Sequence, residues 1–184
     1  MKKLSIVFLV AAVAVGLVVG GASGKSAKST AGTQVCVLLP DTASSVRWEQ
    51  FDRPAFINAF KKAKLTASVV NALGQQQKQL AQAEQCINDG AKVGVIVSLD
   101  TGTSIAIQKK FTAAGGKTID YDRQIVGGTG SVYISFDGNQ VGRIQARGVI
   151  AGMVAKKTYG PKGVIAQLWG GPTDANAFWF KSGN

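Results

Sequence analysis

The chain has 184 residues, 46% of them apolar, which is enough to pack one domain or two small ones and too much for a disordered chain. Its 21 Lys and Arg against 10 acids give a formal charge of +11, with no histidine and two cysteines. The lysines fall in scattered pairs, Lys61-Lys62, Lys109-Lys110 and Lys156-Lys157, without interleaved aromatics, which argues against a nucleic-acid partner. Two cysteines without a histidine cannot complete the usual zinc set, so no metal is expected.

Lys2 and Lys3 precede an apolar run from Leu4 to about Gly20, closed by the small residues Gly21-Ala22-Ser23-Gly24. A basic end, an apolar middle and a small-residue exit make residues 1–24 a signal peptide and place the mature chain outside the cytoplasm. The run approaches the ~20 residues that would span a bilayer, but its flanks favour a signal over an anchor. No cysteine lies near the presumed cut, so a lipid anchor is not indicated. Residues 25–33, rich in Ser, Lys, Gly and Thr, read as a linker.

Gln34 to Leu39 then reads as a fully buried strand broken by Pro40. Asp52 and Pro54 suit a helix start, with Phe56, Ala59, Phe60 and Ala63 on one face. A strand is expected from Thr66 to Val70, and a helix from about Gln75 that buries Leu80, Ala83 and Ile87 and stops at Asn88-Asp89-Gly90. Val93 to Val97 forms the next strand, Asp100 to Thr103 opens a helix through Ala113, and Lys117 to Tyr121 is the fourth strand. Ser131 to Phe136 follows as a fifth strand. A helix over about Gln140 to Ala155 offers Val141, Ile144, Val149, Ile150 and Met153 to the core, and Gly163 to Trp169 reads as a new strand. This alternation predicts an α/β fold with a doubly wound parallel sheet joined by right-handed crossovers.

In an exported chain Cys36 and Cys86 are either a disulfide or two buried thiols, and an oxidising compartment favours pairing. Closing that loop would stabilise by roughly 4 kcal/mol in the chain-entropy account.

Catalytic motifs are wanting: there is no Gly-x-Ser-x-Gly elbow, no phosphate-cradling loop and no dinucleotide fingerprint after the first strand. Gly127-Gly128-Thr129-Gly130 lies between strands and reads as a turn. Asp120 and Asp122 would share a strand face by alternation.

Binding chemistry is better supplied. A sugar hydroxyl both donates and accepts, so its site calls for carboxylates, guanidinium forks and a flat aromatic. Candidates at strand ends and helix starts are Asp41, Arg47, Trp48, Asp100, Asp122, Arg123, Asp137 and Asn176, with Asp174 beside the last. Ligands of open α/β sheets bind outside the carboxyl ends of the strands, where these residues fall.

Asp41 to Arg47-Trp48, the run Ile119-Asp120-Tyr121-Asp122-Arg123, Tyr133 to Asp137 with Val141-Gly142, and Gly170 to Ala177 together resemble the periplasmic-binding-protein type I family, the sugar ABC-transporter receptors of the xylose- and ribose-binding kind. The resemblance covers about Val35 to the last residue. It implies two α/β lobes closing over a monosaccharide without a cofactor and without chemistry on it, and a monomeric receptor that delivers the sugar to an ABC permease. Residues 34–137 would be the first lobe, and 138–184 a crossover helix and the start of the second. By the same resemblance Asp122 and Arg123 would be the first lobe's main sugar contacts, and Arg47 and Trp48 would join from the first loop. Asp137 would sit near the hinge, and Asn176 would reach in from the second lobe.

Two departures stand out. Gly138 replaces an asparagine common in the family, and the chain is much shorter than members of the family. It therefore reads as a truncated receptor with impaired sugar binding. Two other classes compete: a sugar-responsive regulator with the same fold, which would begin with a helix-turn-helix where this chain has its apolar run, and an exported α/β enzyme, for which no nucleophile-base pair is found.

Overall fold

The computed structural model describes residues 32–184. The expected signal peptide, residues 1–24, and most of the expected linker lie outside them. Five strands form a single parallel sheet in the order β2-β1-β3-β4-β5. They are β1 (Val35–Leu39), β2 (Ala67–Asn71), β3 (Val93–Ile96), β4 (Lys117–Tyr121) and β5 (Val132–Ile134).

β1 is buried along its whole length, as a central strand covered on both faces must be. Alternation sends Val35, Val37 and Leu39 to one face, where they pack with Trp48, Val95 and Val97 against Phe56 and Phe60 of α1 (Arg53–Lys62). Cys36 and Leu38 point the other way, to Ala83 and Cys86 of α2 (Gln76–Asn88) and to Ile107 and Phe111 of α3 (Thr101–Ala113). A Cys36–Cys86 disulfide ties β1 to α2. The class is α/β with a doubly wound parallel sheet.

The first helix starts earlier than Asp52 suggested. A π-helical turn, Trp48–Asp52, runs directly into α1, so Asp52 is helical and makes no capping bond. Asp100 caps α3, its carboxylate accepting from the Thr103 amide at 2.8 Å.

Beyond the sheet, α4 (Gly138–Ala155) and α5 (Ala175–Gly183) pack on each other. The approach is close because Gly142 lacks a side chain: a Cβ there would meet the carbonyl oxygen of Phe180. Two expectations fail in this region. Gly163 to Trp169 has no regular structure and forms no ladder, since a strand exists only with a neighbour and none pairs with it among the described residues. Val164 and Leu168 are 92% and 98% exposed. Ile144, Val149 and Ile150 of α4 are also exposed, because α4 leans on α5 and no sheet lies beneath it.

Candidate functional site

β4 ends in Tyr121, and the chain then turns sharply. The Arg123 amide donates to the Tyr121 carbonyl at 2.8 Å, and Asp122 between them adopts a left-handed φ of +64°. That is the rarer, positive-φ kind of γ-turn, tolerable for aspartate and costly for most residues. The turn breaks the strand's alternation and separates two carboxylates that would otherwise share a face. Asp120 stays in the α3 layer, accepting from Gln108 Nε2 at 2.7 Å and from the Ile125 amide at 3.0 Å. Burial pushes its carboxyl above the ordinary range, and the Ile125 and Gln108 bonds oppose that only in part. The Gly127 to Gly130 turn closes over this pair: the Thr129 amide donates to Gln108 Oε1 at 2.6 Å, and a Cβ on Gly130 would come within 2.5 Å of Asp120 Oδ1.

Asp122 points the other way. Its Oδ2 accepts from Arg47 Nη1 at 2.7 Å and its Oδ1 from Asn176 Nδ2 at 2.9 Å, joining the first loop, the end of β4 and α5. Arg47 is also bound through Nε to Asp52 Oδ2 at 2.8 Å, and Asp52 Oδ1 accepts from the Tyr121 hydroxyl at 3.0 Å. Burial alone would lower the Arg47 guanidinium. The hydrogen bonds and charges of Asp52 and Asp122 outweigh it and raise the group, so Arg47 stays a cation at every working pH.

The Arg123 side chain is largely enclosed. It donates from Nη1 to the Ser98 carbonyl at 3.2 Å and from Nη2 to Ser44 Oγ at 3.0 Å. Its Nε lies 3.1 Å from Asp174 Oδ2, an ion pair whose angle falls short of a hydrogen bond, so one donor is left without a partner. Ser44 uses its full capacity: Oγ accepts from Arg123 and from the Trp48 indole Nε1 at 3.1 Å, and donates to Asp41 Oδ2 at 2.8 Å.

These groups wall a cavity of about 290 Å³ that includes Arg47, Trp48, Asp122, Arg123, Asn176 and Phe136. It adjoins a second of about 300 Å³ that shares Arg47, Asp122 and Phe136. Each sits near the lower end of small-molecule sites. Larger hollows exist, about 670 Å³ beside Met153 and Tyr159 and about 430 Å³ between α4 and residues 165–170. Neither is lined by an acid or an arginine, whereas the smaller pair brings both together.

Five of the eight candidate ligand residues thus meet: Arg47, Trp48, Asp122, Arg123 and Asn176. Trp48 belongs to the core as much as to the cavity, being 2% exposed, with the Arg47 guanidinium 4.4 Å over its ring. The aromatic surface open to a ligand is Phe136, 77% exposed. Asp41 lies outside the cavity and shapes the loop, accepting from the amides of Ala43 and Ser44. Asp100 and Asp137 lie outside these two cavities and cap helices, the latter accepting from the Gln140 amide at 2.9 Å. Residues not anticipated are Ser44, Asp52 and Phe136. Ser44 carries no signal in the sequence, whereas the aromatic at 136 stood next to a strand end.

The arrangement offers carboxylate acceptors, guanidinium donors and an apolar ring around a small open hollow, a set suited to a neutral polyol.

Residues 35–184 match the periplasmic binding protein domain family. The chain is 33% identical over 183 residues to the multiple sugar-binding periplasmic receptor ChvE of Rhizobium radiobacter, covering 97% of this chain and 49% of that protein. It is 31% identical over 137 residues to the D-xylose-binding periplasmic protein of Escherichia coli K12, covering 74% of this chain and 39% of that protein. In structure it resembles an ABC transporter solute binding protein of Clostridium phytofermentans with bound β-D-glucose. That likeness has a TM-score of 0.70 and 26% identity, over 82% of this chain and 46% of the other. The chain therefore spans about half the length, or less, of the relatives it matches.

Proposed function

The chain belongs to the periplasmic binding protein family, and from that premise we propose that it is an extracytoplasmic receptor that captures a monosaccharide and presents it to the permease of an ABC importer. One observation carries the reading: Arg47, Asp122, Arg123 and Asn176 converge from three separate segments on one small cavity. A charged pair at the cavity wall can exchange one of its own bonds for a hydroxyl group, which accepts from the arginine and donates to the carboxylate. Phe136 supplies an apolar face for the sugar's C–H groups. Relatives named for xylose, for several sugars and for bound glucose point to aldoses as the class.

Trp48 gives the test its probe, because its indole N–H rests on Ser44, the same hydroxyl that receives Arg123. Titrating the chain with D-xylose, D-ribose or D-glucose is expected to move the Trp48 indole resonance in NMR, saturably, for at least one sugar. Arg123→Ala is expected to weaken that response at least tenfold with the circular dichroism unchanged. A Trp48 signal indifferent to all three sugars, or a variant responding like the parent, refutes the assignment.

A further inference from the structure

The charges of this chain are sorted along the strand direction. Lys61 and Lys62 end α1 and Lys64 follows it, Lys109 lies in the closing turns of α3, Lys92 immediately precedes β3, and Lys117 opens β4. The ladder sets these positions on one rim. The Gln34 amide donates to the Thr66 carbonyl at 2.8 Å, the Lys92 amide to Gln34 at 3.1 Å, and the Lys117 amide to Lys92 at 2.8 Å. Four strand starts therefore lie side by side, about 14 Å across. All six lysines are exposed. The acids near this rim, among the described residues, are Glu84, which is paired with Lys110 at 2.9 Å, and Asp89. The acids that pair with arginine, Asp52, Asp122 and Asp174 among them, gather at the opposite rim with the cavity.

Helix ends explain part of this. Lys61 and Lys62 complement the carbonyl end of α1. Lys92 serves the carbonyl end of α3 in the same way, its Nζ donating to the Ala114 carbonyl at 2.7 Å, while Lys117 opens β4 and makes no such bond. The use of lysine alone is also informative: no arginine stands among these rim positions, and ammonium groups on flexible stems suit a diffuse, mobile field of negative charge. The chain enters the fold at this same rim, where the Thr33 amide donates to Asp89. Lys25 and Lys28 come shortly before that point, and the first 31 residues contain no acid.

We propose that this lysine rim rests on an anionic lipid surface, leaving the cavity at the far ends of the same strands open to solvent. The proposal is independent of which ligand, if any, the cavity takes. Each lysine near an anionic membrane strengthens binding about fivefold, an effect lost within roughly a Debye length or in high salt.

The test is sedimentation of the full chain with vesicles of phosphatidylcholine alone and with 30% phosphatidylglycerol. The apolar run near the N-terminus sees both vesicles alike, so the readout is the ratio between them. Preference for the anionic vesicles by tenfold or more in low salt, abolished by about 0.5 M salt, is expected. The combined variant Lys61→Glu, Lys62→Glu, Lys92→Glu, Lys117→Glu should lose that preference at least tenfold, and the gentler Lys→Gln set in part. Lys156→Glu with Lys157→Glu and Lys162→Glu, away from the rim, should change it less than threefold. Equal binding to the two vesicle types overturns the proposal. So does equal loss in the rim and control sets, which would reduce the effect to net charge, or capture by an anionic polysaccharide or RNA while vesicles are ignored. Near-ultraviolet circular dichroism establishes that the variants are folded.

Discussion

Asp122 holds three segments together from a backbone position that few residues tolerate, and replacing it separates the two contributions. Its bond to Arg47 is charge-assisted, ordinarily worth about 1.5–3 kcal/mol. Arg47 is about one-third exposed and keeps Asp52, so screening and the surviving partner reduce this to about 1 kcal/mol. Asp122→Asn retains the left-handed turn and one bond, and should cost about 1 kcal/mol. Asp122→Ala loses the bonds to Arg47 and Asn176 and also the tolerance of the left-handed region that the short polar side chain of aspartate gives at φ +64°, which adds about 1 kcal/mol, for a total near 3 kcal/mol. Asp122→Gly loses the same bonds but relaxes the turn, and should fall between, near 2 kcal/mol. With each kcal/mol worth about 2–4 °C in a chain of this size, melting followed by circular dichroism should place the variants about 3, 6 and 9 °C below the parent in the order Asn, Gly, Ala. If the Ala variant melts with or above the Gly variant, the backbone part of the reasoning fails. An Asn variant that melts with the parent shows that the ion pair contributes nothing.

Two carboxyls should give stability opposite dependences on pH. Asp120 is raised by burial, so the stability it contributes is complete below the ordinary carboxylate range and is lost as pH rises through the raised value; Asp120→Asn should flatten the decline in urea midpoint above about pH 4. Glu49 is lowered, first by its hydrogen bond from Arg53, so its contribution is present above the ordinary range and lost as pH falls through the lowered value; Glu49→Gln should flatten the acid side of the same curve. Gly142→Ala gains about 1 kcal/mol of helix propensity but drives a methyl into Phe180, a clash of about 1–3 kcal/mol, and tryptophan fluorescence should report a looser α4–α5 pair. Opening the Cys36–Cys86 bond by Cys36→Ser with Cys86→Ser should lower unfolding stability by about 4 kcal/mol, read from urea midpoints with the parent's m-value.

The fold was legible because its signals are local. β1 announces itself as an unbroken apolar run ending at Pro40, and Asp100 marks the start of α3 by the capping chemistry it performs. The site was legible in type more than in arrangement. Aspartate at a strand end serves equally as a ligand acceptor, a loop acceptor like Asp41, or a cap like Asp100 and Asp137, and sequence alone does not separate these uses. The parting of Asp120 from Asp122 depends on one positive φ, which no alternation rule foresees. Gly163 to Trp169 has strand composition, yet pairing is a property of two segments and composition describes one.

The α4–α5 pair joins the sheet through the short stretch Ser135 to Asp137 and through the contacts of Asn176 and Asp174 with Asp122 and Arg123. With 18 residues, α4 is a lever about 27 Å long. A tilt of about 5° at its Asp137 end sweeps the Lys156 end through about 2 Å, so parting one amide and one ion pair is amplified into a displacement visible across the molecule.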